Sequence, residues 1–317
     1  MAKADVQAEE DNHMLSIVIP YYNREDYLPH TLQTVASSSY RPLELILVDN
    51  GSTDRSAEIC RNFADANRAE DFHITLAEEP KKGATYARNK GLSLCQTPFV
   101  YFFDSDDEFD EDFHRLVVPM LTDDIDLLAL TFEMTVNGKT MIKRYLEDNT
   151  IRTQVLASHL ATPSMVFRTE FLRSIGGWNP QVTLWDDWEL GVRALSRHPR
   201  MRWYTDFAFH LINVHGDSIT GEDFTSRIPD IKQTMKVVAE ELGSQYYPPL
   251  YLRMQLIAGQ LLREKNKEGA KAIKDYARQL LPGVSVVYRA LGAFLRKYTG
   301  HGYRGAWRIA CLLCPKR

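Results

Sequence analysis

Apolar positions in the first third of the chain fall in short runs separated by amphipathic stretches. Leu15–Ile19 predicts a buried strand closed by Pro20, and Tyr27–Ala36 carries a helical stripe through Leu28, Leu32 and Val35. Leu43–Val48 is a second apolar run, too short for a helix, ended by Asp49-Asn50-Gly51-Ser52. Ser52 or Thr53 is expected to cap a helix that buries Ile59, Cys60 and Phe63. Phe72–Ala77, Thr85–Leu94 and Phe99–Phe103 continue the series as strand, helix and strand. Such alternation predicts an α/β chain built on a mostly parallel, doubly wound sheet. Its strand ends would gather Asp49 and Asp104–Asp107 along one edge.

The second half is less regular. Thr131–Tyr145 alternates about Asn137-Gly138, a hairpin signal. Ser164–Phe167 predicts a strand and the residues to Ile175 a helix, followed by Gly176-Gly177-Trp178. Asp186–Ser196 is expected to be helical and Phe207–Val214 extended. From about residue 227 the pattern is helical throughout, in segments 227–243, 246–264, 267–281 and 284–298. The expected organisation is a leader without order at 1–13, an α/β domain at 14–225, and a helical C-terminal region at 226–317.

Composition narrows the class. At 317 residues with 44% apolar content and a net charge of −4, the chain is an ordinary globular one, with no basic run interleaved with aromatics to suggest nucleic acid. No apolar stretch reaches the roughly 18 residues of a membrane span, and the polar start lacks a secretory signal. Cys311 and Cys314 have C-x-x-C spacing without a second pair or a nearby His, which argues against zinc. Four cysteines in no pairing pattern suit a reducing cytoplasm. Between Pro282 and Arg317 stand seven Lys/Arg and no Asp or Glu, among Val286, Val287, Leu291, Phe294, Leu295, Trp307, Leu312 and Leu313. That tail reads as a membrane-surface element on the inner face of a membrane, or as helices packed on the protein or on a partner.

Candidate chemistry sits where apolar runs end. Phe102-Phe103 leads into Asp104-Ser105-Asp106-Asp107, hard oxygen ligands at a strand's carboxyl end, the place where open α/β sheets bind their ligands. Mg²⁺ or Mn²⁺ with a phosphorylated substrate would suit it, and a solvated acidic loop is the alternative. Asp49 is either an acceptor for a base N–H or part of a strand-to-helix turn. Arg88, one turn into its helix, can fork across a diphosphate or pair with a neighbouring acid. Asp186 and Asp187 open a helix between Trp185 and Trp188; the helix dipole favours such acids and keeps them ionised, as a general base requires. His210 reads as structural, and His215, in a turn, as the better metal ligand.

Taken in order, Ser16-Ile-Val-Ile-Pro-Tyr-Tyr-Asn23, Glu44-Leu-Ile-Leu-Val-Asp-Asn-Gly-Ser-Thr-Asp54, Ala87-Arg-Asn-Lys-Gly-Leu92 after Gly83, Asp104-Ser-Asp-Asp107, Gly176-Gly-Trp178 and Asp186-Asp-Trp188 resemble the inverting glycosyltransferases of family 2. The resemblance spans about residues 14–220 and implies the GT-A (nucleotide-diphospho-sugar transferase) fold. It implies a nucleoside-diphosphate sugar donor, preferably a UDP-sugar, and a glycan or lipid-linked saccharide acceptor. It further implies that Pro20, Tyr22 and Asp49 line the nucleoside pocket, with Arg88 near the base or diphosphate. Asp104 would approach the ribose, Asp106 would coordinate Mn²⁺ or Mg²⁺, Asp107 would support metal or sugar, and His215 would complete the metal or diphosphate site. Asp187 would be the general base, with Trp178, Trp185 and Asp186 toward the acceptor. Two departures stand out: Asp186 where the family usually has Glu, and Asn50 where it often has Asp. A catalytically silent sugar-nucleotide-binding module and a metal-dependent phosphatase remain as rivals. A dehydrogenase is disfavoured, since no G-x-G-x-x-G follows the first strand.

Overall fold

A computed structural model describes residues 15–38, 40–136, 139–143, 150–214 and 223–314. The first part runs β1 (Leu15–Tyr21), α1 (Leu28–Ser37), β2 (Leu43–Asp49), α2 (Ser56–Asn67), β3 (Phe72–Glu78), α3 (Ala84–Leu94) and β4 (Phe99–Phe102). Then follow α4 (Phe113–Val117), β5 (Leu127–Val136), β6 (Lys139–Lys143), α5 (Ile151–Ala157), β7 (Met165–Arg168), α6 (Thr169–Ser174), α7 (Asp186–Ser196) and β8 (Met201–Val214). The last part is helical: α8 (Ile228–Leu242), α9 (Tyr247–Arg263), α10 (Lys267–Leu280), α11 (Val286–Gly300) and α12 (Ala306–Leu313).

The sheet order is β3-β2-β1-β4-β7-β5-β6, with β8 beside β5. The β1–β4 half is parallel, as the strand-helix alternation predicts. β7 enters antiparallel between β4 and β5, while β8 runs parallel to β5. The arms of the expected hairpin pair as β5 and β6; its Asn137-Gly138 turn lies outside the described residues.

Strands β1, β2 and β4 are apolar on both faces because both faces are covered. Ile17, Ile19, Leu45, Leu47 and Tyr101 pack with Leu28, Leu32 and Cys60 of α1 and α2. Val18, Ile46, Val100 and Phe102 face the other way, in a cluster that runs through Ala87, Trp178 and Trp188 to Leu250, Ile257 and Ala310. The C-terminal helices thus share a core with the sheet: α9 and α12 pack on α5, and α8 packs on α7. None of the four cysteines forms a disulfide, and all are buried.

Two local expectations are corrected. Pro20 does not end β1, which pairs on through Tyr21 with Asp49. Phe103 donates its N–H to Val18 O, so even-numbered residues of β1 face β4, whose pairing stops at Phe102. Where Pro20 lacks a donor, no ladder remains to be served. Nor do Ser52 or Thr53 cap α2. It begins at Ser56, whose N–H is taken by the Asp54 carboxylate at 2.9 Å, and Ser52 Oγ instead accepts Asn23 N–H at 3.1 Å. Cys60 and Ala64 are buried on it, whereas Ile59 and Phe63 are only partly so.

Candidate active site

The carboxyl ends of β1, β2 and β4 lie side by side, and the turns that follow them carry the polar groups. At the end of β2, Asp49 is buried, and its Oδ1 accepts Ser52 N–H at 2.9 Å. Asn50, also buried, donates to Glu79 O and Lys81 O at 2.9 and 2.7 Å and accepts Gly83 N–H at 2.7 Å. One amide therefore ties the β2 end to the loop that enters α3. A carboxylate could accept there but not donate twice. Lys82 reaches back to Gly51 O at 2.9 Å and stands 4.2 Å over the exposed ring of Tyr22. Pro20 near the end of β1, Tyr22 just beyond it, Asp49 at the end of β2 and Lys82 thus lie at neighbouring strand ends.

Beyond β4 the acids divide by partner. Arg88, buried on α3, donates from Nη2 to Asp104 Oδ1 at 2.9 Å and from Nη1 to Asp186 Oδ2 at 2.7 Å. Its guanidinium lies 4.4 Å from the ring centre of Trp178. Burial alone would lower its pKa, but Asp186 and Asp104, with Asp187 beyond, carry it above the usual value. The fork thereby joins the first acid of the strand-end cluster to the start of α7, which is far away in sequence. Asp106 faces Arg24 at 3.4 Å and keeps part of its side chain exposed. Thr31 on α1 holds the turn from below, donating to Ser105 O and Asp107 O at 3.2 and 2.9 Å; Asp107 is buried.

Helix α7 begins after Trp185, which takes a left-handed backbone (φ 59°) that a bulky side chain rarely adopts. Asp187 Oδ1 accepts Trp188 N–H at 2.6 Å, and Oδ2 receives Thr162 N–H at a long 3.4 Å. Asp186 Oδ1 accepts Asp187 N–H at 3.0 Å, which leaves its Oδ2 to Arg88. The approach to this helix is braced. Arg193 forks onto Glu189 and donates to Ile175 O and Gly177 O at 2.6 and 2.8 Å, while Asn89 pairs with the backbone N–H and C=O of Trp178. Gly177 sits at φ +64° with Asn89 Oδ1 only 2.5 Å from where a Cβ would be, so any other residue would be strained and would displace the Asn89 amide.

The helical C-terminal region contributes directly. Arg253 of α9 lies 4.1 and 5.1 Å from the ring centres of Trp188 and Trp185, and donates to Val155 O at 2.8 Å and Ser158 Oγ at 3.0 Å. Burial pushes its pKa down to about 9, opposed by the charge of Asp187, so it remains a cation at neutral pH.

The expected site residues have the following surroundings. Trp178, expected toward the acceptor, is 1% exposed: it is the platform under Arg88 and packs edge-on to Phe102 at 5.2 Å. Asp186, expected at the acceptor, is engaged by Arg88, and so is Asp104, expected at the ribose. Trp185 stays half-buried between Arg253 and Phe224. His215 lies outside the described residues. His210 is buried among Tyr101, Phe103, Phe109 and Phe113, where its Nδ1 accepts Asp110 N–H at 3.0 Å. Among the described residues no three His, Cys, Asp or Glu groups converge as a metal cage. A magnesium-like cation does not need one, since it is commonly held by one or two carboxylates plus substrate phosphates. Asp106, partly open at the strand end, fits that mode. Sequence reading missed Arg24, Thr31, Asn89 and Arg253; only Asn89, next to Arg88 in its motif, carried a local signal.

The family model for glycosyl transferase family 2 matches residues 16–175, half of the chain. The chain belongs to that family. Among curated relatives, a Bacillus subtilis minor teichoic acid biosynthesis protein, GgaA, is 29% identical over 187 residues, 55% of this chain and 41% of that protein. The Streptococcus pneumoniae glycosyltransferase GlyA is 35% identical over 99 residues, 31% of this chain and 14% of that protein. The chain spans less than half the length of either. In structure, S. aureus TarS superposes with a TM-score of 0.66 at 17% identity, covering 94% of this chain and 54% of that one. A mannosyltransferase from Pyrobaculum calidifontis gives 0.57 at 18%, covering 96% and 88%. The family-2 chain accordingly has the GT-A fold, an α/β sheet followed here by C-terminal helices.

Proposed function

We propose that this chain is an inverting glycosyltransferase that moves a sugar from a nucleoside diphosphate, with UDP as the favoured carrier, to a hydroxyl of a glycan or lipid-linked saccharide. The observation that carries the reading is the Arg88 fork, which brings the strand-end acids and the first turn of α7 to one place. A donor held at the strand ends then has Asp187 near its sugar. Structures of TarS have been solved with UDP-GlcNAc and with UDP, and that of the mannosyltransferase with GDP-Man and Mn²⁺, which supports a nucleotide-sugar donor.

In this reading Pro20, Tyr22 and Asp49 receive the nucleoside, and the buried Asp49 carboxylate accepts from the base. Arg88 fixes Asp104 for the ribose and Asp186 at the head of α7, so its work is to position both. Asp187, kept ionised by the helix N-terminus and by the Arg88 and Arg253 charges, accepts the acceptor's hydroxyl proton as the oxygen attacks the anomeric carbon. Trp185 offers an apolar edge beside it for the acceptor. Asp106 would hold Mn²⁺ or Mg²⁺, with Asp107 behind it and His215 as a further ligand. Bound there, the cation would neutralise charge on the departing diphosphate. The protein would work in the cytoplasm, at the inner face of a membrane when the acceptor is lipid-linked.

A panel of UDP-, GDP- and dTDP-sugars, each with Mn²⁺, Mg²⁺ or EDTA, tests the reading by thermal shift and by NMR of the product's anomeric configuration. Stabilisation by a UDP-sugar, cation-dependent turnover and an inverted product are expected. No stabilisation by any sugar nucleotide, or a retained configuration, would sink it. Asp187→Asn should bind donor normally and lose turnover by at least ~10²-fold.

A further inference from the structure

The described residues expose eleven large apolar side chains, and seven of them lie between Val286 and Leu313. Val286 is 80% exposed and Leu312 83%, so neither has any appreciable protein cover. On α11, Val287, Ala290 and Phe294 fall on one helical stripe. The opposite side is closed: Leu295 is buried, and a Cβ on Gly292 would strike Gln255 and Tyr251 of α9. Ring contacts from Phe294 to Tyr298 (5.8 Å) and on to Tyr303 (5.0 Å) carry the apolar surface across the turn into α12. There Trp307, Leu312 and Leu313 stand exposed, while Ala306, Ala310 and Cys311 face inward.

The charged side chains carried by this segment have one sign. Arg289, Lys297, Arg304 and Arg308 are exposed, with Arg308 5.2 Å over the Trp307 ring, and no Asp or Glu occurs from Pro282 to Arg317. The whole chain is nevertheless net negative, at −4. A second copy docked face to face would set these cations against their own equivalents with no acid between them. A surface of anionic headgroups over acyl chains satisfies both properties at once: apolar side chains enter the interface while Lys and Arg stay at phosphate level. No helix among the described residues is long and apolar enough to cross a membrane, so the contact is one of lying on the surface.

We propose that the α11–α12 face docks the protein onto an anionic phospholipid surface. The face is firmly joined to the candidate active site. Arg152 on α5 donates to the carbonyls of Cys311 and Cys314 at the end of α12, α5 packs on α7, and Thr162 beyond α5 reaches Asp187. Docking would therefore hold the start of α7 at a constant attitude to the lipid. The docking rests on the surface alone; its use in receiving a lipid-linked acceptor rests on the function proposed above.

Co-sedimentation of the full chain with phosphatidylcholine vesicles, with and without phosphatidylglycerol, tests it. Binding should require phosphatidylglycerol and weaken as salt is raised. A quadruple variant, Arg289→Gln, Lys297→Gln, Arg304→Gln and Arg308→Gln, should bind at least about tenfold more weakly. Phe294→Ser with Trp307→Ser and Leu312→Ser should lose the remaining, salt-resistant binding. Each substituted side chain is exposed or partly so, and unchanged thermal unfolding would show the fold intact. Equal binding by wild type and both variants overturns the proposal, as does no binding to either vesicle. So does a dimer in analytical ultracentrifugation that the apolar variant abolishes while vesicles are ignored. Sugar transfer to a soluble acceptor without vesicle binding would remove the docking alone, and vesicle binding without donor binding would remove only the enzymatic reading.

Discussion

The guanidinium of Arg253 lies 4.1 Å from the ring centre of Trp188, which places a cation from α9 against the first turn of α7. The contact gives the helical C-terminal region a part in the candidate active site. Arg253→Ala removes the stacked cation and two hydrogen bonds and leaves a void, for a loss of about 3 kcal/mol in denaturant unfolding. Its second expected effect is on the chemistry. With a neighbouring positive charge gone, the acid limb of the kcat–pH profile moves to higher pH. Arg253→Lys should restore more of the profile than of the stability, because it keeps the charge and loses the planar stack.

Arg88 spans two carboxylates that no other described cation pairs with. Arg88→Ala leaves Asp104 and Asp186 unneutralised beside a bared Trp178, and unfolding experiments should show a loss of about 3 kcal/mol. Arg88→Lys cannot fork to both acids. It is expected to keep the fold and lose turnover, with donor affinity falling less. Full activity in the lysine variant would show that the fork is dispensable.

Asn50 is best tested with the residue the family often has there. Asn50→Asp would set a carboxylate against Glu79 O and Lys81 O, both now served by the amide N–H groups. A destabilisation of about 2 kcal/mol is expected, together with weaker nucleotide binding as the loop into α3 loosens. Calorimetry with UDP against the variant measures both.

Acid should unfold the protein earlier than its carboxylates alone require. Burial pushes the His114 pKa down to about 3, helped by Arg41, and burial also drives His210 well below the ordinary value. The unfolded chain protonates both near pH 6.5, whereas the folded one refuses the protons. Stability from His114 is therefore complete above about pH 6.5 and is lost as pH falls toward about 3, at about 1.4 kcal/mol per unit, and His210 adds a loss of the same sign below about pH 6.5. Melting temperatures followed from about pH 7.5 to 4.5 should fall steadily, before most carboxylates titrate. A flat profile would contradict the buried, neutral state of both rings.

Much was legible in the residue order, for a common reason: it depends on neighbours in the chain. Short two-faced apolar runs predict a covered parallel sheet, and α7 begins and ends where Asp186 and Ser196 predict. The acids of interest stand at the ends of such runs. Local order cannot reveal which distant partner a polar group meets. Trp178 and Trp185 both flank candidate chemistry, yet one is core and the other half-buried. Asn50 departs from the family pattern in sequence but holds two loops together in space.

What the sequence by itself determined was the set of elements and the family, since hydrophobic periodicity and ordered motifs act along the chain. What only the tertiary structure decided was the partners of two buried arginines: Asp104 and Asp186 for Arg88, and the tryptophans at the entrance of α7 for Arg253. Those contacts form when packing takes a guanidinium out of water and leaves it to the acids, rings or carbonyls that lie nearest. That choice follows from how the helices cross the sheet, and no spacing along the chain encodes it.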